Sequence, residues 1–357
     1  MNWMKTNSIN LALSGGGIKG ISFLGAYEVI EKMGISIMNI SGVSAGALAG
    51  AFMAAGYRWW ELNSIMGEFD FSKIELRDIP RKVPVVPTMI KHQNSKKYWG
   101  NDVEGNGFLD TNFYWNKSGH IEKHDQDFKG EQSNWFENLI NFSKMGCLLD
   151  GDYLEEWVGR ILSERGVLTF KDIKTGIADE TNPNGYKVRM TAVDANEGKI
   201  IVLPDDISYY GIAPDDLEVA KAVRMSTSIP FLFKPVELVR KVKNEVKTHY
   251  IIDGGVVDNL PYWLLNNKYA APIIGFWLNG GDDIRNPGIF DYLNILKTLF
   301  LESHEAGVPK ANLLNYHQVI VDTSKVPFLD FNLDDEQKKY LYNEGVKSAT
   351  DFFKNYH

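Results

Sequence analysis

A single cysteine, Cys147, stands in the 357 residues of the chain, so no internal disulfide can form and an oxidised, disulfide-built scaffold is excluded. Cys147 reads as a buried apolar filler rather than a reactive thiol. No run approaches the ~18 consecutive apolar residues needed to span a bilayer. The opening stretch, MNWMKTNSINLALSGGG, carries one early lysine, but its apolar run ends after Leu13, too soon for an ordinary signal peptide. The expectation is a cytoplasmic protein; leaderless export would leave no mark in the sequence. Basic residues are in deficit, 38 Lys and Arg against 46 Asp and Glu for a net charge of −8, which argues against non-specific nucleic-acid binding. There is no HExxH, EF-hand or cysteine–histidine cluster, so no metal or other cofactor is expected. Internal repeats and low-complexity tracts are also missing.

With 44% hydrophobic and 24% charged residues, the chain has the composition of an ordinary globular protein with a sizeable core. From residue 9 to about 66 the pattern alternates strand, glycine turn and helix. Strands are predicted at 9–13 and 35–40, and helices at 18–32 and 45–55, ended by Gly34 and Gly56. This is the grammar of a parallel sheet covered by helices. The stretch 69–150 is different: rich in Asn, Lys, Gly and aromatics, weakly periodic, with Pro80, Pro84 and Pro87 close together. It reads as an insertion or lid in a single domain covering 1–357. Regular structure resumes with helices at 152–164 and 217–225, strands at 186–194, 199–203, 248–252, 273–278 and 318–321, and a closing helix at 334–356. The fold class expected is α/β, three layers, with a mainly parallel central sheet and helices on both faces.

Gly15, Gly17 and Gly20 satisfy G-x-G-x-x-G after a strand, which alone suggests a dinucleotide site. A ribose-binding carboxylate should then end the second strand. That strand instead runs into Gly42-Val43-Ser44-Ala45-Gly46, the G-x-S-x-G of a strand-to-helix elbow that exposes a nucleophilic serine. With Ser44 as nucleophile, the backbone N–H groups of Gly15, Gly16 and Gly17, on an adjacent strand end, become oxyanion-hole candidates. None of the seven histidines sits in a context that marks it as the base, though His304 and His317 fit the serine–acid–histidine chain order. Asp253 is the stronger candidate, ending the apolar strand Tyr250-Ile251-Ile252 ahead of Gly254 and Gly255. Asp-Gly-Gly is also ordinary turn chemistry.

Taken in order, Gly15-Gly16-Gly17-Ile18-Lys19-Gly20, Gly42 to Gly46 and Asp253-Gly254-Gly255 resemble the motifs of the patatin-like phospholipases. The segment Ala222-Val223-Arg224-Met225-Ser226-Thr227-Ser228-Ile229-Pro230, the stretch from Leu149 to Leu154 and the closing helix are similar too. The resemblance implies a Ser44–Asp253 dyad without histidine, an oxyanion hole at Gly15, Gly16 and Gly17, and supporting roles for Lys19, Gly20, Gly42, Gly46, Gly254 and Gly255. Lys19 stands where many relatives have arginine; it keeps the charge, loses the planar fork, and is equally readable as a solvated residue at the helix start. The implied activity is phospholipase A-type hydrolysis of fatty-acyl esters through an acyl-enzyme. The implied partners are a phospholipid or other acyl-ester lipid and a peripheral membrane surface, with no nucleic acid. Whether an activator or a homo-oligomer is involved is left open. A soluble carboxylesterase with the same dyad, or a silent lipid- or protein-binding module, are the alternatives. Arg81, Lys82, Lys91 and Lys96 around the apolar run 83–90 are readable as a membrane-facing loop or as a solvated lid. Trp59 and Trp60 read as core packing.

Overall fold

A computed structural model describes residues 7–68, 151–230, 232–242, 245–265, 271–280, 315–326 and 333–355, with the backbone at 114–115 and 121–122. The chain begins with β1 (Ser8–Leu13), α1 (Ile21–Lys32), β2 (Ser36–Val43), α2 (Ala45–Ala54) and α3 (Trp59–Glu68). Two-residue strands β3 (Tyr114–Trp115) and β4 (Ile121–Glu122) pair antiparallel. There follow α4 (Asp152–Ser163), β5 (Val188–Asp194), β6 (Lys199–Leu203), α5 (Val219–Ser226), β7 (Val236–Val242), β8 (Glu245–Asp253), β9 (Ile273–Asn279), β10 (Tyr316–Asp322) and α6 (Asp335–Asn355).

The main sheet is mixed. Its order is β10-β9-β1-β2-β5-β8-β7, with β6 also paired to β5. The ladders from β10 through β9, β1 and β2 to β5 are parallel. Those joining β5 to β6, β5 to β8 and β7 to β8 are antiparallel. Connection length explains part of the division: four residues join β5 to β6 and two join β7 to β8, too few for the crossover a parallel pair needs.

Strand alternation sorts the core. Ile9, Leu11 and Leu13 of β1, Ile40 of β2, Met190 and Ala192 of β5 and Phe276 of β9 form one face, and buried residues of α1 to α6 pack there, among them Phe23, Phe52, Leu62, Trp157, Val223 and Phe353. The opposite face carries Ala12 with Leu260, Leu265 and Ile273, and Val193 with Ala195 and Ile252. Among the described residues its cover is built from 3-10 turns, Gly254–Val256 and Tyr262–Leu265, rather than from α-helices. The closing helix is admitted by two glycines: a Cβ on Gly25 would overlap the Tyr342 carbonyl, and one on Gly345 the Ser22 carbonyl.

Several boundaries differ from expectation. α1 starts at Ile21 because Gly17–Gly20 forms a 3-10 turn before it, and β2 continues through Ser41 and Gly42 to Val43. α3 and β7 are elements the sequence pattern did not announce. Trp59 packs against the core, but Trp60 is 51% exposed beneath the Arg58 guanidinium, which corrects its core assignment. The predicted insertion at 69–150 lies outside the described residues except for β3 and β4, as do Cys147, the basic stretch from Arg81 to Lys96, and His304.

Candidate active site

β5 brings two strand ends together. One of its edges pairs with β6 from Met190 to Asp194. The other edge is shared: β2 holds it up to Val43, opposite Thr191, and β8, running the opposite way, holds it from Ile251 to Asp253, with Asp253 opposite Ala192. Ser44, next after Val43, and Asp253 therefore converge on the same point of the β5 edge.

Ser44 has φ 53 and ψ −121, and it shares a positive φ with only Asn7 among the described non-glycine residues. A non-glycine residue held there is under backbone strain of roughly 1–3 kcal/mol, which the surroundings must offset. Its hydroxyl makes no capping bond to α2, although a serine at that position commonly does. The elbow is pressed against β1: a Cβ on Gly46 would overlap the Leu13 carbonyl, and one on Gly42 would overlap the carbonyl of Gly46. Glycine at both positions is what lets α2 start there, its positive dipole end beneath Ser44.

Asp253 ends β8 and caps the 3-10 turn that follows, accepting the Gly255 N–H on Oδ1 at 2.7 Å. The turn reading of Asp-Gly-Gly is met, and the turn itself orients the Asp253 carboxylate. A Cβ on Gly254 would sit 2.6 Å from the Thr191 carbonyl oxygen, so close approach to β5 requires glycine.

The glycine-rich turn after β1 is tied down on both sides. Ser14 N–H donates to the Phe276 carbonyl at 3.1 Å, and Leu278 N–H donates to Ser14 Oγ at 3.0 Å. Gly15 N–H donates to the Asn259 carbonyl at 3.1 Å, and Asn259 Nδ2 returns a bond to the Gly15 carbonyl at 3.4 Å. The Gly15 amide is therefore engaged within the protein. Gly16 and Gly17 open the 3-10 turn, where the first amides have no acceptor inside the turn. Gly20 fits against the elbow helix, since a Cβ there would lie 2.9 Å from Ala45 Cβ.

Asn259 joins the three motifs and was not anticipated. A Cβ on Gly15 would overlap its Oδ1 and lie 3.3 Å from Ser44 Cβ, while a Cβ on Gly255 would lie 2.9 Å from the same Oδ1 and 3.0 Å from Asp253 Oδ1. Nothing in its context, Asp258-Asn259-Leu260-Pro261, distinguishes it from a turn asparagine. Lys19 is only 3% exposed, which corrects the solvated reading; its ammonium occupies the space a Cβ on Gly280 would take, near Thr323.

The described histidines lie elsewhere. His249 Nδ1 is 2.7 Å from Asp194 Oδ2, which also accepts the Tyr210 hydroxyl at 2.7 Å. Four residues of extended chain put His249 about 13 Å from Asp253. His317 pairs in register with Ile274, Ile274 with Leu11 and Leu11 with Ile40, so it stands three strands from β2 and four residues short of Ser44. Burial pushes its imidazole below the usual histidine range. Among the described residues no cluster of His, Cys, Asp and Glu could hold a metal ion, and no helix is long and apolar enough to cross a membrane.

Comparison with known proteins identifies the family and the fold. The chain is 29% identical over 354 residues to the uncharacterized protein YqhO of Bacillus subtilis strain 168, covering 98% of this chain and 99% of that protein. It is 24% identical over 308 residues to the lysophospholipase NTE1 of Candida albicans, covering 81% of this chain but 21% of that much longer protein. The crystal structure of VipD from Legionella pneumophila shares the fold, with a TM-score of 0.50 at 16% identity over 98% of this chain and 67% of that one. A family model of the patatin-like phospholipases matches residues 11–265, a span that includes Ser44, Asp253, Asn259 and the glycine-rich turn. The chain belongs to the patatin-like phospholipase family.

Proposed function

We propose that the protein is a phospholipase A-type lipid acyl hydrolase in which Ser44 and Asp253 act as a dyad. Family membership supports lipid hydrolysis at the general level. The single observation that carries the finer reading is the meeting of β2 and β8 on one edge of β5, which sets a strained serine beside a strand-end aspartate.

In this mechanism Ser44 Oγ attacks the ester carbonyl while its proton passes to Asp253. The oxyanion is held by the amides of Gly16 and Gly17, since that of Gly15 is engaged by Asn259. Each such donor is worth roughly 10²–10³ in rate. Collapse breaks the ester bond, and the departing alcohol or lysolipid takes the proton from Asp253, leaving the acyl-enzyme. Water then attacks the acyl carbon, gives a proton to Asp253, and the fatty acid leaves as Ser44 recovers its proton. An aspartate near its ordinary pKa of ~3.9 is a weak base in water, so direct contact with Ser44 and exclusion of water are what make it serviceable. Ser44 and Asp253 are 3% and 4% exposed, so the elbow does not present its serine to solvent as its motif suggests, and the burial favours exclusion of water.

The test is fatty-acid release from mixed phospholipid vesicles by the wild type, Ser44→Ala, Asp253→Asn and His317→Ala. Loss in the first two with His317→Ala active is the expected result. Activity surviving Asp253→Asn would overturn the dyad. A wild type that cleaves a short soluble ester but no vesicle lipid would replace the phospholipase reading with a carboxylesterase.

A further inference from the structure

The C-terminal end of α5 touches both halves of the dyad. Ser44 N–H donates to Ser226 Oγ at 3.0 Å, and Ser226 Oγ donates in turn to the Thr191 carbonyl at 2.7 Å. Thr191 is the residue paired with Val43, immediately before Ser44. Two residues further on, the Ser228 carbonyl accepts the Asp253 N–H at 2.9 Å. Ser228 is itself fixed: Arg224 Nη1 donates to its Oγ at 2.6 Å, and that Oγ donates to the Arg224 carbonyl at 2.6 Å. Arg224 Nη2 extends the bracket to the Lys234 carbonyl at 2.7 Å. Arg224, Ser226 and Ser228 are all buried.

We propose that Ser226 is a positioning residue that holds the nucleophile in its strained conformation, and that the segment from Arg224 to Ser228 sets the spacing of Ser44 and Asp253 as one unit. This rests on the dyad reading above. The Ser226 hydroxyl has one proton, given to Thr191, so toward Ser44 it acts only as an acceptor. The Ser44 amide precedes α2 and has no acceptor within that helix; without Ser226 it would be buried and unpaired, a strong incentive for the elbow to relax. The same bond withdraws the nucleophile's own N–H from any part in the oxyanion hole. The oxyanion is then left to other amides of the site, Gly16 and Gly17 of the anchored glycine-rich turn among them. Because a misplacement of ~1 Å can lower a rate ~10²-fold, the effect of Ser226 belongs in kcat.

The experiment measures the rate constant and final extent of fluorophosphonate labelling at Ser44, with kcat and KM for vesicle hydrolysis, in the wild type, Ser226→Ala, Ser226→Thr and Ser44→Ala. Ser226→Ala is expected to lower the labelling rate constant and kcat together by about 10- to 100-fold, with KM little changed and full labelling extent. Ser226→Thr, which restores the hydroxyl, should recover most of the loss. A normal rate constant with reduced extent means that Ser226 only supports folding, and overturns the proposal while leaving the dyad intact. Labelling that persists in Ser44→Ala, or fails in the wild type, removes the nucleophile assignment and this inference with it. If Ser226→Ala does not fold, Ser228→Ala probes the other arm, and a labelling rate equal to wild type in that folded variant overturns the shared bracket.

Discussion

Replacing Gly46 by alanine, set against the same change at Gly50 one turn further along α2, isolates the fit of the elbow. At Gly46 the new Cβ would overlap the backbone carbonyl of Leu13 and stand 2.8 Å from Leu13 Cβ, where ordinary contact begins at 3.4 Å. Neither obstacle is the flexible end of a side chain, so α2 must retreat from β1 by at least about 0.6 Å at its first turn. Ser44 is the residue before α2 and moves with it, whereas the glycine-rich turn is held separately by Asn259 and β9. At Gly50 the neighbours are the terminal methyls Ile40 Cγ2 at 3.0 Å and Val188 Cγ2 at 3.2 Å, which can give way by a few tenths of an ångström. Overpacking at Gly46 should cost about 1–3 kcal/mol of stability, while at Gly50 a gain of about 1 kcal/mol in helix propensity offsets most of the crowding. Since displacement of ~1 Å can cost ~10²-fold in rate, Gly46→Ala is expected to lower kcat by roughly one to two orders of magnitude. Gly50→Ala should retain more than about half of it, on the same geometric argument. Vesicle hydrolysis, with thermal melts to establish the folded fraction, reads both. A folded Gly46→Ala enzyme with wild-type kcat would show that α2 can shift without moving Ser44, and would refute the reasoning.

Two further outcomes concern polar groups outside the site. Glu155 on α4 is held above the usual carboxylate range, first by burial, which outweighs the nearby Lys221 and Arg224. A raised carboxyl pKa gives stability that is complete below the unfolded value of 4.5 and is lost as pH rises through the folded value. Glu155→Gln should therefore raise the Tm at pH 7, with the gain vanishing below about pH 4.5; an equal gain at pH 4 would contradict this. Asp194, fully buried, accepts from Tyr210, from the amides of Asn196 and Glu197, and pairs with His249. Asp194→Ala should cost about 3–5 kcal/mol in urea unfolding, yet leave the labelling rate of Ser44 in the folded fraction near wild type. Loss of labelling in a stable His249→Gln protein would instead bring His249 into the chemistry.

Much of this arrangement was legible before the structure, and the exceptions have physical causes. The strands 9–13 and 199–203 stand out because apolar runs end at turn residues, and the elbow because glycines flank Ser44. β7 escaped notice because Val236–Val242 carries Glu237, Arg240 and Lys241, the charges expected of a strand at the sheet's edge. The extension of β2 through Gly42 was obscured because glycine weakens a strand pattern, while here it makes room for the carbonyl of Gly46. Asn259 and Ser226 were invisible for a different reason. Their importance lies in partners 244 and 182 residues away in the chain, and no local pattern encodes such a contact.

Strand direction fixes which residue of β8 stands nearest Ser44 in the proposed dyad. Here β8 is antiparallel to β5 while β2 is parallel to it, so their final residues approach head to head on a single edge. In the proposed dyad the carboxylate of the last residue of one strand faces the residue just beyond the other. The histidine that β8 does carry, His249, points into the same face as Asp253 but is engaged with Asp194 and stacked edge-on against Tyr209 and Tyr210. Its strand position makes it part of the packing that holds β8 in place. The reversal that begins with the two-residue connection between β7 and β8 thus decides which end of β8 meets Ser44 on the β5 edge.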